Sequence, residues 1–122
     1  MAVPILKHGD YLIASIQSAL SDVEVLELRD EITERVGVTR ARGVIVDVAG
    51  MDVIDSFVAR SLHTIALTAR LRGAETVIVG IRPDVAVAMV QFDMNLEPLR
   101  TALDLEEGLA LLDQSNGGVN GR

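Results

Sequence analysis

Two short runs rich in β-branched residues constrain the fold of this chain more than any other feature. Residues 44–48 and 76–79 are almost entirely apolar or β-branched, which is typical of strands that are covered on both faces. In the stretch that follows each run, apolar residues recur at helical spacing. Strands that alternate with helices predict a mainly parallel sheet, because each parallel connection needs a crossover.

The remaining patterns complete the order of elements. Residues 4–7 and 11–16 predict an opening antiparallel hairpin. Capping residues, a proline and apolar periodicity predict four helices, at 21–37, 56–72, 83–92 and 104–112, and a short strand at 99–102. The order β-β-α-β-α-β-α-β-α predicts one α/β domain over residues 1–113, with about five strands and four helices. The tail at 114–122 is rich in Gly and Asn and is expected to be disordered.

Charge and composition disfavour several classes of function. Acidic residues outnumber basic ones 18 to 11, and only 2% of residues are aromatic, so binding of nucleic acid is not expected. The chain has no cysteine, which excludes disulfides and thiolate metal sites. It also lacks an apolar run of the ~18–20 residues that cross a bilayer, and no leader pattern precedes Pro4. We therefore expect a cytoplasmic protein that binds neither nucleic acid nor membrane.

The segment after the first buried strand carries the candidate site. Residues 44–62 read VIVDVAGMDVIDSFVARSL, in which a strand ends at Asp47, an acid-rich turn follows and a helix begins at Asp55-Ser56. Ser56 is thereby placed on the first turn of a helix at the carboxyl end of a buried strand. Helix-start N–H groups lack partners there, and α/β sheets present their sites at strand ends. Because a phosphate would add ~1.5–2 negative charges, we interpret Ser56 as the phosphorylation site of a switch.

Other interpretations of this segment remain open. Ser56 could be only a helix cap, a role that Asp55 could share. Asp47, Asp52 and Asp55 could belong to an enzyme that binds Mg²⁺ or forms an aspartyl phosphate. However, the second acids required by receiver domains and haloacid-dehalogenase phosphatases are absent, so a solvated turn is the better interpretation. Neither histidine has a partner at metal-ligand spacing, and no metal or cofactor site is predicted.

Two residues of the following helix are candidates for supporting the switch. Phe57 lies off the apolar face of that helix, so it is expected either to be exposed beside the Ser56 hydroxyl or to pack under the preceding loop. Arg60 lies one turn after Ser56 and could partly neutralise a phosphate there.

Residues 47–56, DVAGMDVIDS, resemble the strand–turn–helix signature of the STAS domain, in which an Asp-Ser pair precedes the second helix and a dedicated kinase phosphorylates the serine. The RsbS branch of that family, the stressosome scaffolds, is the most similar. Its hairpin, phosphorylation segment, third-helix entry and last helix resemble residues 4–17, 55–60, 80–86 and 101–109. The resemblance spans residues 3 to about 113. It departs at 92–94, FDM, where a glycine closing the third helix is expected.

The resemblance implies a non-enzymatic scaffold without a cofactor. With RsbR-type STAS paralogues it would form a large hetero-oligomer that sequesters an RsbT-type serine kinase. Phosphorylation of Ser56 would release the kinase, and an RsbX-type phosphatase would reset the state. RsbR-type proteins carry an additional amino-terminal sensory domain, for which this chain has no room. The alternatives are direct binding of an anti-sigma kinase by an anti-sigma factor antagonist, and a STAS module that binds a nucleotide or lipid.

Overall fold

The computed structural model describes residues 3–94, 96 and 99–117. Its elements follow the predicted order. The strands are β1 (Ile5–His8), β2 (Tyr11–Ser15), β3 (Gly43–Asp47), β4 (Glu75–Val79) and β5 (Arg100–Ala102). The helices are α1 (Asp22–Thr39), α2 (Ser56–Leu71), α3 (Pro83–Gln91) and α4 (Leu105–Gly117).

The five strands lie side by side in sequence order, β1-β2-β3-β4-β5. The β1–β2 pair is antiparallel and the three other pairs are parallel, so the predicted mainly parallel sheet with an opening hairpin is confirmed. Strands β2 to β5 end in register at Ser15, Asp47, Val79 and Ala102. We call this side of the sheet the carboxyl edge, and the opposite side, where these strands begin, the amino edge.

Both faces of the central strands are covered, which explains their apolar sequences. Val44 and Val46 point into the larger buried cluster, to which α1, α2 and α3 contribute. Ile45, between them, belongs to a smaller cluster with Leu112 of α4. Because successive side chains of a strand point to opposite faces, a strand with helices on both sides must be apolar throughout.

Two predicted helix ends are wrong. Helix α1 continues past Gly37 to Thr39 and ends at Arg40, whose φ of 54° is left-handed. Gly37 instead lies inside α1, where a Cβ would meet the guanidinium of Arg72 at the end of α2.

Helix α4 continues past Leu112 to Gly117, so the predicted boundary at residue 113 falls inside it and residues 114–117 are helical. Its last turns are held by side chains: the Asn116 amide donates to the Leu112 carbonyl at 3.0 Å, and Tyr11 donates to Asp113. The rest of the predicted tail, residues 118–122, lies outside the described residues.

The contact of Tyr11 with α4 predicts a loss of stability at alkaline pH. Burial, and then the hydrogen bond of its hydroxyl to the Asp113 carboxylate at 2.5 Å, raise the pKa of Tyr11 above its usual 10.0. The folded protein therefore holds this proton more tightly than the unfolded chain. The resulting stabilisation is complete below the unfolded pKa and is lost as pH rises through the folded pKa.

Urea denaturation between about pH 8 and about pH 11 should therefore show a steeper fall of the unfolding free energy in wild type than in Tyr11→Phe. Parallel curves for the two proteins would contradict this assignment.

Candidate functional site

The candidate site lies at the carboxyl edge, in the loop of residues 48–55 that joins β3 to α2. The loop begins with a local turn, in which Asp47 Oδ1 accepts a hydrogen bond from the Ala49 N–H at 2.9 Å. Met51 and Ile54 are buried and anchor the loop to the main core. The residues between them are consequently presented to solvent beside the start of α2.

Two glycines allow this loop to lie close to its neighbours. A Cβ on Gly50 would stand 2.5 Å from the carbonyl carbon of Gln17, just after β2. Gly80, after β4, has a φ of 79°, and a Cβ there would stand 2.9 Å from Asp47 Oδ1. The loop is thus packed between the backbone segments that follow β2 and β4.

Asp55, and not Ser56, caps α2. The Asp55 backbone is extended, and its Oδ1 accepts a hydrogen bond from the Val58 N–H at 2.9 Å. Ser56 is the first residue of the helix and is exposed, and its hydroxyl makes no hydrogen bond within the described part of the chain. The interpretation of Ser56 as the cap is therefore wrong, and the hydroxyl is accessible for modification.

The start of α2 also suits an anion. Its first turn contains no acidic residue, although α1, α3 and α4 each have at least one there. The positive end of the helix dipole is therefore balanced only by the cap, Asp55. A phosphate on Ser56 would lie within that field, where a negative group gains typically ~0.3–1 kcal/mol.

The capping geometry predicts a clear difference between two substitutions of Asp55. Asp55→Ala removes the acceptor for the Val58 N–H, so we expect the unfolding free energy to fall by about 0.5–2 kcal/mol. Asp55→Asn keeps an acceptor oxygen and should retain most of that stability. Equal losses for both variants in urea denaturation would show that the hydrogen bond is not what stabilises the helix start.

A groove of about 550 Å³ opens beside Ser56, between the loop and α3. Three carboxylates, those of Asp52, Asp55 and Asp84, lie among its lining residues. The rest of the lining is apolar apart from Ser56 itself: Val53, Ile54, Val85, Ala88, Phe92 and Met94. Phe92 is 72% exposed and Val53 is 68% exposed, so the groove presents a substantial apolar surface to solvent. Exposed apolar surface with a polar rim is typical of an interaction site.

The other predicted site residues occupy different positions. Phe57 is half-buried and packs against the main core, so the expectation of an exposed side chain beside the Ser56 hydroxyl is wrong. Arg60 is exposed and lines a smaller hollow of about 240 Å³ together with Ser56 and His63. Its side chain makes no salt bridge with any described residue.

The three aspartates at the end of β3 and in the loop make separate contacts. Asp47 stabilises its own turn, Asp55 caps α2, and Asp52 forms a salt bridge with Arg82, in the loop after β4. Among the described residues no group of three His, Cys, Asp or Glu side chains is arranged to hold a metal ion.

Sequence reasoning missed Arg82 and the apolar wall that Phe92 and Met94 contribute. The signal for Arg82 was topological, since the loop after β4 ends at the same edge of the sheet as Asp47. For the apolar wall, the sequence signal was the departure from the family pattern at residues 92–94, where a glycine closing the third helix was expected. Asp93 takes the left-handed conformation there, with a φ of 55°, and Phe92 and Met94 on either side of it line the groove.

The chain belongs to the STAS domain family, whose sequence model matches residues 2–108. A serine-to-glutamate variant of RsbS from Moorella thermoacetica is 33% identical, with a TM-score of 0.79 over 93% of this chain and 96% of that one. A structure described as the molecular architecture of the stressosome, a signal integration and transduction hub, is 34% identical, with a TM-score of 0.77 over 92% and 97%. The predicted STAS fold is thus confirmed.

Among curated proteins, the RsbT co-antagonist RsbRD of Bacillus subtilis (strain 168) is 26% identical over 81 residues, which are 66% of this chain and 29% of RsbRD. The chain therefore spans less than a third of the length of that relative. These similarities show a STAS domain related to stressosome proteins. No helix in the described part of the chain is long and apolar enough to cross a membrane.

Proposed function

We propose that this STAS domain is a non-enzymatic phospho-switch scaffold of a cytoplasmic, stressosome-like complex. It sequesters an RsbT-type serine kinase and releases it when Ser56 is phosphorylated. The exposed, unbonded Ser56 hydroxyl on the first turn of α2, beside an apolar groove, carries this proposal. Similarity to RsbS over nearly the whole chain supports it. RsbR-type paralogues would complete the hetero-oligomer, and an RsbX-type phosphatase would reset it.

The groove accounts for how a phosphate would control binding. A partner that covers the apolar wall also removes water from Ser56 at its margin. Desolvating a neutral hydroxyl costs far less than desolvating a group with ~1.5–2 negative charges, so phosphorylation opposes the contact. Asp52, Asp55 and Asp84 add like charges on the same rim. An ion pair between the phosphate and the exposed side chain of Arg60 would contribute only ~0–1 kcal/mol. It would therefore leave most of the phosphate's opposition to partner binding in place.

Incubation of the protein with an RsbT-type kinase and ATP tests whether Ser56 is the residue that accepts the phosphate. Peptide mass spectrometry should place the phosphate on Ser56, and Ser56→Ala should receive none. Thr64 is a matched control, because it is exposed on the same helix, whereas Ser61 is only 7% exposed. Thr64→Ala should be phosphorylated like wild type. Phosphate on Thr64 with Ser56 unmodified would contradict the proposal.

The volume and the apolar wall of the groove favour a second candidate function, the binding of a small ligand. Ligand pockets typically enclose ~300–1,000 Å³, and the groove lies in that range. The three carboxylates would repel the phosphates of a nucleotide, so a neutral or cationic lipid-like molecule fits better. Native mass spectrometry of the purified protein would reveal such a ligand as a discrete added mass.

Direct binding of an anti-sigma kinase is the remaining alternative. It would also be controlled by phosphorylation of Ser56, but with a different kinase as the partner.

A further inference from the structure

Charge is divided between the two edges of the sheet. The loops and helix starts at the carboxyl edge carry more acidic than basic residues: Arg60 and Arg82, which pairs with Asp52, lie there beside Asp52, Asp55, Asp84, Asp93, Asp104 and Glu106. The amino edge is rich in arginine, because the ends of α1 and α2 and the starts of β3 and β5 place there Arg40, Arg42, Arg70, Arg72 and Arg100. Asp10, Glu75 and Asp113 also lie at the amino edge, but the arginines outnumber them. In a chain with a net charge of −7, this edge is therefore the more basic of the two, and it faces away from Ser56.

These five arginines are available to a partner. All are exposed, and none forms a salt bridge within residues 3–94, 96 and 99–117. Arg42 and Arg70 line a common hollow of about 310 Å³. Ser115 lines it too and accepts a hydrogen bond from Arg100 at 2.9 Å. One carboxylate, that of the half-buried Glu75, also lines the hollow.

We propose that the amino edge of one chain binds the carboxyl edge of a second copy, head to tail. Two copies with the same net charge repel each other in most orientations, and the head-to-tail orientation brings the arginines of one against the aspartates of the other. Guanidinium groups suit this role because their planar fork binds carboxylates through paired hydrogen bonds. Such a contact does not close at two chains, so rings or open arrays are expected. A second copy and a partner at the Ser56 groove would compete for the carboxyl edge.

Reversing the charges at each edge tests this contact. Arg42→Glu/Arg70→Glu makes the amino edge acidic, and Asp84→Lys/Glu106→Lys introduces positive charge at the carboxyl edge. All four side chains are exposed and make no hydrogen bond or salt bridge within the described residues. Glu27→Lys is the control variant: it also adds positive charge, but on the exposed side of α1 and outside the residues named at either edge. Thermal melts of each variant establish that it is folded.

Sedimentation velocity at tens of micromolar protein should show assemblies larger than a dimer at about 20 mM salt, dispersing at about 300 mM as the charges are screened. Each edge variant should associate at least tenfold more weakly than wild type. An equimolar mixture of the two edge variants should recover association, because the unaltered amino edge of the second variant can bind the unaltered carboxyl edge of the first, and the two altered edges bring glutamates against lysines. The control variant should associate at least as well as wild type.

A wild-type monomer at low salt would overturn the proposal, as would a mixture of edge variants that does not associate. Binding of inorganic polyphosphate that depends on Arg42 and Arg70, with self-association unchanged by their reversal, would assign the amino edge to a free polyanion and also overturn it. No kinase is present in these measurements, so either result leaves the proposed role of Ser56 standing.

Discussion

Ser56→Asp should weaken binding of an RsbT-type kinase, whereas Ser56→Ala should retain it. The aspartate places one negative charge at the margin of the groove that the partner is proposed to cover. Phosphoserine carries ~1.5–2 charges, so the effect of aspartate should be partial, about tenfold in affinity, which corresponds to ~1.4 kcal/mol. Isothermal titration calorimetry at moderate salt measures both affinities directly.

Both variants should remain folded, which keeps the comparison interpretable. Because Asp55 forms the capping hydrogen bond, Ser56→Ala removes no cap and should leave the unfolding free energy close to that of wild type. Ser56→Asp adds a negative charge to the first turn of α2 and should be stabilised by ~0.3–1 kcal/mol. The two substitutions therefore differ in partner binding much more than in stability.

Two controls separate charge from size and from position. Ser56→Asn has nearly the shape of Ser56→Asp without its charge, and it should bind the kinase much as Ser56→Ala does. Thr64→Asp adds the same charge two turns further along the exposed side of α2, outside the lining of the groove, and should have little effect. Equal affinity for the alanine and aspartate variants of Ser56 would mean that charge at this position is not the signal.

Gly50→Ala, which adds one methyl group to the loop between β3 and α2, should lower the unfolding free energy of the protein. The new Cβ would stand 2.5 Å from the Gln17 carbonyl carbon and 2.6 Å from its Cα. These are backbone atoms, which cannot rotate away as a side chain can. Overpacking of this kind costs about 1–3 kcal/mol, and the strain falls on the loop that presents Ser56.

Gly37→Ala is the matched control for that substitution. It also adds one methyl group at a crowded glycine, but the atoms it meets are the far end of the exposed Arg72 side chain, which can move. Since Gly37 lies inside α1, alanine should be neutral or stabilise the protein by up to ~1 kcal/mol. Urea denaturation of both variants gives the comparison. A Gly50→Ala protein as stable as wild type would show that the loop is not held against the segment after β2.

The order of elements and the place of Ser56 could be predicted from the sequence because both depend on local signals. The runs at 44–48 and 76–79 are apolar on both faces, and capping residues mark the starts of the helices. Helix ends were harder to predict. A glycine inside a helix pattern signals an end, but α1 continues past Gly37 and ends at Arg40, which takes the left-handed conformation although it is not a glycine.

The groove beside Ser56 could not be predicted because its two walls are separated in sequence. Val53 and Ile54 belong to the loop after β3, whereas Phe92 and Met94 follow α3. Their meeting depends on the packing of α3 beside the loop and on the left-handed backbone of Asp93. Capping was also undecided from sequence, because Asp and Ser are both good caps. The hydrogen bond of Asp55 to the Val58 N–H decides it.

The most direct test of the central claim is a titration of an RsbT-type kinase with the wild-type protein before and after complete phosphorylation at Ser56. We expect the phosphorylated protein to bind about a hundredfold more weakly, a loss of ~3 kcal/mol. Its thermal unfolding should be nearly unchanged, because the start of α2 accepts the phosphate. Equal affinities of the two forms for the kinase would contradict the account.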